Sequence, residues 1–448
     1  MSPILRFLYL VYRLFSWARF WAARRLTRPG QTVAGAVLLT GVMGFDTENS
    51  VVYQAFMLLL ALLVVAFQFC WFFKLRFAVE RSLPRFGTAG QPFAYRVVVR
   101  NLTSKIQPSL TLLENLADPR PSFQQWKAMQ LDDESHRRSF RLSRRRSVSA
   151  FKVVTVKEAA LPPIPPNQSC ETRVELTPWH RGFLHFSGVT VARPDPLGLF
   201  RALAKVPLPQ SVLILPRRYR LPPMALPGEM KYQQGGVALA ANIGRSEEFV
   251  SLREYRRGDP LRHIHWRSWA KTGKPIVKEF EDEFFTRHAL ILDTFTARPP
   301  GEVFEEAVSV AASFACTVLT QESLLDLLFV GPQAYCLTAG RGLAHADQML
   351  EILASVRSCA DQPFSALELL VMNHVQEVSG CICVLLAWDE PRRALVEKLK
   401  ALGLPVLVLV ILDKPAIKPL DPGPLRDEPH RLHTLEIGRI EEQLALLR

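Results

Sequence analysis

The longest hydrophobic block in the chain runs from Val51 to Phe73. Its 23 residues carry no formal charge, and only Gln54 and Gln68 are strongly polar. At ~1.5 Å per residue a helix of that length reaches ~34 Å, enough to cross a ~30 Å hydrocarbon core with some tilt. A second uncharged block of 17 residues lies between Arg28 and Asp46, joined to the first by the polar loop Asp46-Thr47-Glu48-Asn49-Ser50. The two predict a transmembrane helical hairpin with spans at about 29–45 and 51–73. Before it, residues 1–25 interleave Phe7, Leu10, Leu14, Phe15, Trp17 and Trp21 with Arg6, Arg13, Arg19 and Arg24. That mixture predicts an amphipathic leader lying in the headgroup region.

Beyond the hairpin the period changes. Residues 76–217 show short alternating runs, among them Tyr95–Arg100, Ser109–Leu113, Phe151–Val156 and Thr172–Leu176, separated by turn residues. This predicts a β-sandwich domain with a polar, Arg-rich insertion at about 118–148. A linker follows at 218–245, rich in Pro, Gly and Gln. From there strands and helices alternate. His288–Asp293, Ser323–Val330, Ala334–Thr338, Cys381–Trp388, Pro405–Leu412 and His433–Ile437 read as strands. Glu302–Thr320, Ala346–Val356, Ser365–Val375, Pro391–Leu402 and Ile440–Leu447 read as helices. Apolar strands spaced by helices predict a doubly wound, mostly parallel sheet. The expected fold is therefore multidomain: hairpin, β-sandwich, then an α/β domain within 246–448.

Charge refines the topology. The net +13 is concentrated beside the hydrophobic blocks, at Arg24, Arg25 and Arg28 before them and Lys74, Arg76, Arg81 and Arg85 after them. Basic flanks face the cytoplasm, so both termini and the soluble domains are expected there, against a lipid bilayer. No signal-peptide pattern fits the late hydrophobic onset. The run Arg137, Arg138, Arg141, Arg144, Arg145 and Arg146 holds one aromatic, Phe140, where a nucleic-acid platform interleaves several, so nucleic-acid binding there stands only as an alternative and no nucleic acid is expected. The seven cysteines have no framework spacing, which fits a reducing compartment. Cys381 and Cys383 alternate with Ile382 and Val384 and read as a buried strand.

The densest chemistry is SEEFVSLREYRRGDPLRHIHWRSWAKTGKPIVKEFEDE, residues 246–283. Asp259 is a good N-cap, Pro260 fits the first helical position and Gly273 fits a stop, predicting a helix over 260–271. On such a helix His263 and His265 point ~200° apart and cannot share a metal ion. Glu248, Asp259, His263 and His265 together define a hydrolase alternative. It lacks a phosphate loop, a nucleophile elbow and an HExxH pattern. Balanced numbers of acidic and basic residues favour a salt-bridged brace or a docking face instead. The residues expected to carry it are Glu248, Arg253, Tyr255, Gly258, Asp259, Arg262, Trp266, Lys271 and Glu279.

This stretch resembles the signature of the DUF58 family of prokaryotic membrane proteins. The matching residues are Glu248-Phe249, Leu252-Arg253-Glu254-Tyr255, Gly258-Asp259-Pro260, Arg262-x-Ile264-x-Trp266, Ala270-Lys271-Thr272-Gly273 and Lys278-Glu279-Phe280. Arg181-Gly182, Asp195-Pro196-Leu197-Gly198-Leu199-Phe200 and Leu215-Pro216 match as well. The resemblance implies a von Willebrand factor A-like (vWA-like, Rossmann-like) C-terminal domain in a two-pass protein of the bacterial inner membrane. It also implies a MoxR-type AAA+ ATPase and a transglutaminase-like membrane protein as partners; no enzymatic activity is established for the family, and a non-enzymatic scaffold or adaptor is expected. Domains of that class hold Mg²⁺ or Mn²⁺ through Asp-x-Ser-x-Ser and a later Asp. Here Asp293 and Asp389 stand at the acidic positions, but Phe295 and Ala297 replace the hydroxyls, and Thr294 and Thr296 are one residue out of register. A degenerate site without metal or other cofactor is expected.

Overall fold

The computed structural model describes residues 3–43, 50–71, 76–117, 123, 126, 154–222, 249–257, 261, 264–280, 287–296, 301–320, 324–339, 343–413 and 420–447. The chain divides into two compact units, Met1–Pro216 and Arg217–Arg448. The Arg-rich run 137–146 lies outside the described residues.

The first unit opens with helices α1 (Pro3–Arg25), α2 (Arg28–Met43) and α3 (Ser50–Trp71). Among the described residues one segment, Val51–Cys70 within α3, is long and apolar enough to cross a membrane, with a mean hydropathy of 2.2. At 16 residues, α2 is shorter than a typical span.

Two sheets follow. One orders β1 (Phe77–Ser82), β3 (Phe93–Asn101), β7 (Ser169–Pro178) and β5 (Val154–Val156) as β1-β3-β7-β5. The other orders β2 (Phe86–Thr88), β9 (Arg201–Leu215), β8 (Gly182–Pro194), β4 (Leu110–Leu116) and β6 (Ala159–Leu161) as β2-β9-β8-β4-β6. Alternation places Val79, Val97, Val99 and Val174 of the first sheet and Leu112, Phe186, Val191 and Ile214 of the second in one shared core. A buried ionic cluster ties the sheets together. Arg81 on β1 reaches Glu114 on β4 at 2.5 Å, Gln210 on β9 at 2.8 Å and the Leu208 carbonyl at 2.7 Å. Burial pushes the Glu114 carboxyl up, and the Arg81 charge opposes that rise.

The turn Asp195–Phe200 joins the helices to the sheets. Its Asp195 carboxylate accepts from the Leu197 and Phe200 amides at 2.9 and 2.7 Å, and Gly198 takes the left-handed φ of 69° that the turn needs. Thr27 donates its amide to the Leu199 carbonyl at 3.0 Å and its hydroxyl to the Gly198 carbonyl. Gly30 lies so close that an added Cβ would stand 2.0 Å from the Leu199 oxygen. Phe200 meets Phe67 of α3 edge-on at 5.7 Å, and Ala66 and Cys70 bury against Leu199, Phe200 and Ala202. The Asp-Pro-Leu-Gly-Leu-Phe motif is thus the dock between helices and sheets.

In the second unit, β10 (Phe249–Glu254) and β11 (Ile276–Phe280) form an antiparallel pair flanking helix α4 (Trp266–Thr272). The remaining strands are β12 (Arg287–Leu292), β13 (Leu324–Val330), β14 (Ala334–Ala339), β15 (Gly380–Leu385), β16 (Val406–Leu412) and β17 (Leu432–Glu436). They make one sheet in the order β14-β13-β12-β15-β16-β17, parallel except at β14. Every residue of β12 and β15 is buried, which requires cover on both faces. Helices α7 (Ser365–His374) and α8 (Glu390–Ala401) cover the face of Ala289, Ile291, Cys381 and Cys383. Helix α5 (Glu302–Thr320) packs against the opposite face, and α6 (Leu343–Ser355) packs against α5. The short α9 (Ile440–Leu444) follows β17. Tyr219 packs at the start of this unit, its amide donating to Ser313 of α5 at 2.8 Å.

The helix expected over 260–271 starts later. Ile264 forms a β-bridge with Val277, and the His265 amide donates to the Ile276 carbonyl at 2.8 Å, so these two residues pair with β11 immediately before α4 begins at Trp266. Gly273 ends α4 in the left-handed conformation at φ 72°, its amide donating to the Trp269 carbonyl. His265 therefore precedes the helix, and helical spacing does not fix its orientation relative to His263.

Candidate functional site at the sheet switch point

In an open α/β sheet the crevice for ligands lies beyond the carboxyl ends of the strands, where the winding reverses. Here β12 continues through α5 to β13 on one side, and β15 lies on its other side and continues through α8 to β16. The switch point therefore falls between β12 and β15. Asp293 follows β12 and Asp389 follows β15, so the two acidic positions read from the sequence converge there.

What joins them is an arginine. Arg392 donates Nε to Asp293 at 2.6 Å, Nη1 to Asp389 at 2.6 Å and Nη2 to the Phe295 carbonyl at 3.1 Å. The other bonds to Asp293 come from the backbone: the Phe295 amide at 2.9 Å and the Leu386 amide at 3.0 Å. The Asp293 side chain is fully buried. Burial disfavours the charged guanidinium of Arg392, but the bond to Asp293 and the two carboxylate charges outweigh it and raise its pKa. Phe364 lies under the guanidinium at 4.9 Å and meets Phe295 edge-on at 5.5 Å.

Local sequence explains the placement. Asp389 caps α8, accepting the Arg392 amide at 3.4 Å, and Pro391 sits in the first turn. The third residue of that turn is brought back over the sheet edge. Thr294 points elsewhere, donating to the Val330 carbonyl. The arrangement does not fit a divalent ion. Both Asp293 oxygens already accept donors, a fixed positive charge stands between the carboxylates, and Phe295 offers a ring where a hydroxyl ligand would be needed. Among the described residues no cluster of three or more His, Cys, Asp or Glu has metal-binding geometry.

Of the signature residues, Arg253 and Tyr255 lie on or just after β10, Glu279 on β11, and Trp266 and Lys271 on α4. Glu248, Gly258, Asp259, Arg262 and His263 lie outside the described residues. Trp266 stacks on Trp269 with centroids 5.2 Å apart and is 65% exposed. Leu252 and Leu261 are exposed as well. His265 engages Ser268 through Nδ1 at 2.6 Å.

Three buried arginines are not legible in the sequence: Arg81, grouped there with the basic flank of the spans, lies instead in the sandwich core against Glu114, and Arg392 and Arg287 lie within the α/β unit. Arg392 looks like one of many surface arginines on a helix. Arg287 pairs with Asp326 through Nε at 2.7 Å and Nη2 at 3.1 Å, and with Glu377 at 2.8 Å, at the opposite edge of the sheet. One signal was present: an aspartate within Leu-Leu-Asp-Leu-Leu-Phe-Val must be paired if that strand is buried.

Residues 251–416 match the family described as Protein of unknown function DUF58. The uncharacterized protein YeaD of Bacillus subtilis is 29% identical over 193 residues, which cover 43% of this chain and 47% of YeaD. The match thus spans about half the length of that relative. Among solved structures, a CARDB domain of Pyrococcus furiosus (15% identity, 32% of this chain, 96% of that one, TM-score 0.17) and a cohesin module of Clostridium perfringens (14%, 32%, 98%, 0.16) align. These scores are too low to establish a shared fold. Over residues 251–416 the chain carries a DUF58 domain.

Proposed function

We propose that the protein is a non-enzymatic scaffold or adaptor anchored in a bacterial inner membrane, presenting a vWA-like domain to protein partners on the cytoplasmic side. In this reading α2 and α3 form a two-pass hairpin. A MoxR-type AAA+ ATPase and a transglutaminase-like membrane protein are the partners, on the strength of the family resemblance. The observation that carries it is Arg392 at the switch point. The crevice where such a sheet would hold a ligand is filled by the chain's own cation, bound to both carboxylates. That favours a fixed docking platform over a reacting centre.

The docking surface we assign is around Trp266. An exposed tryptophan stacked on Trp269, with exposed Arg267 and Lys271 on the same short helix and exposed Leu252 and Leu261 elsewhere in the signature segment, has the composition of an interface hot spot. Affinity purification of the full-length protein from detergent-solubilised membranes should recover an AAA+ ATPase. Trp266→Ala should reduce that recovery by about tenfold or more while leaving the thermal midpoint unchanged. Undiminished recovery by the variant would remove Trp266 from the interface. Recovery of no ATPase by the wild type would overturn the partner assignment.

A further inference from the structure

Helix α1 is held by one side and bare on the other. Tyr9 meets Phe123 and Trp126 at 5.4 and 5.7 Å, and Tyr12 meets Trp126 at 6.2 Å. At its end Arg24 donates to Asn115 and to the Glu114 carbonyl, and Thr27 follows into the Asp195–Phe200 dock. These contacts fix the roll of the helix. At ~100° per residue the face opposite Tyr9 and Tyr12 is built from Phe7, Val11, Leu14, Ala18 and Trp21. All five are exposed, and Phe15 and Trp17 beside them are 73% and 51% exposed.

From Pro3 to Trp21 charge falls at the borders of that face, and Arg25, in line with Phe7, closes its C-terminal end. Arg6 and Arg13 project along one edge and Arg19 along the other, all exposed, and no carboxylate occurs between Pro3 and Arg25. A wide apolar arc edged by arginines and rich in aromatics suits the boundary between acyl chains and phosphate headgroups. A helix crossing the bilayer would carry those arginines into hydrocarbon.

We propose that α1 binds an anionic lipid surface, lying in the headgroup layer with its Phe7–Trp21 face toward the acyl chains and its tyrosine face toward the β-sheets. The proposal rests on the reading of α3 as a membrane span. It adds a second attachment, which with the Asp195–Phe200 dock sets the first unit at a fixed attitude on the bilayer instead of leaving it on a swivel.

The test uses the full-length protein in nanodiscs of phosphatidylcholine with or without phosphatidylglycerol, with bromine on the upper acyl chain as a tryptophan quencher. Subtracting the emission of a Trp17→Phe, Trp21→Phe variant isolates the two α1 tryptophans from the other six of the eight. Their emission should fall by about half or more with brominated lipid and resist aqueous acrylamide. Quenching should deepen with phosphatidylglycerol. An Arg6→Gln, Arg13→Gln, Arg19→Gln variant should lose that dependence on anionic lipid. Tryptophans open to acrylamide and untouched by bromine, in protein that remains in the disc, would overturn the proposal while leaving the anchor standing. A triple variant indistinguishable from wild type would overturn the anionic preference. Failure to enter the disc at all would defeat the anchor, and this proposal with it.

Discussion

Replacing Arg392 by alanine should destabilise the C-terminal unit by about 3–5 kcal/mol, the cost of leaving a buried carboxylate without its cation. Asp293 is fully buried, and Arg392 supplies both its counter-charge and a charge-assisted hydrogen bond at 2.6 Å. The remaining donors, the Phe295 and Leu386 amides, are neutral. Asp389 behaves differently. Its side chain is about half exposed, so Asp389→Asn should cost ~1 kcal/mol or less from the lost ion pair. Removing both charges together, as Asp293→Leu with Arg392→Met, should recover most of the loss, because the penalty comes from the stranded charge. Hydrogen exchange of full-length protein, read in peptides covering β12 and β15, resolves the three cases. An Arg392→Ala variant within ~1 kcal/mol of wild type would mean that Asp293 does not depend on the guanidinium.

Gly30→Ala should undo the dock between α2 and the Asp195–Phe200 turn. The new Cβ would stand 2.0 Å from the Leu199 oxygen and 2.9 Å from its carbonyl carbon, both backbone atoms of a turn already fixed by Asp195. Helix propensity alone would favour alanine by about 1 kcal/mol. The collision outweighs it, since overpacking costs ~1–3 kcal/mol even where softer neighbours give way. The same helix holds the control. At Gly35 an added Cβ meets nothing within 4 Å, so Gly35→Ala should be neutral or slightly stabilising. Faster exchange of the Thr27 and Phe200 amides in Gly30→Ala, and not in Gly35→Ala, would confirm the dock. Equal exchange in both would place the helix and the turn farther apart than described.

The clearest elements in the sequence were those with one strong period. Twenty-three uncharged residues announce α3, and the apolar strands around Leu290, Ile382 and Leu409, buried at all but Leu412, announce the parallel sheet. Signals that pull against each other hid the rest. Strand β9 contains Pro207 and Pro209, which count against a long strand. It tolerates Pro207 at a register shift opposite Gly188, where an added Cβ would meet the Val206 carbonyl at 2.3 Å. In the signature, Asp259, Pro260 and Gly273 suggested one continuous helix. Pairing of Ile264 and His265 with β11, a contact between distant residues, delays the helix start by six positions relative to Pro260. Asp293 and Asp389 could be named from their places after buried strands. Arg392 could not, because its partner lies 99 residues away across the switch point.

The anchoring, the compartment and the lipid contact of α1 all depend on α3 being surrounded by lipid. Membranes from cells making the full-length protein, washed with alkaline sodium carbonate and sedimented, test this directly. The protein should stay with the pellet, and release only when detergent dissolves the bilayer. Recovery in the carbonate supernatant would contradict the anchor, and would recast Val51–Cys70 as a helix that seeks a protein surface.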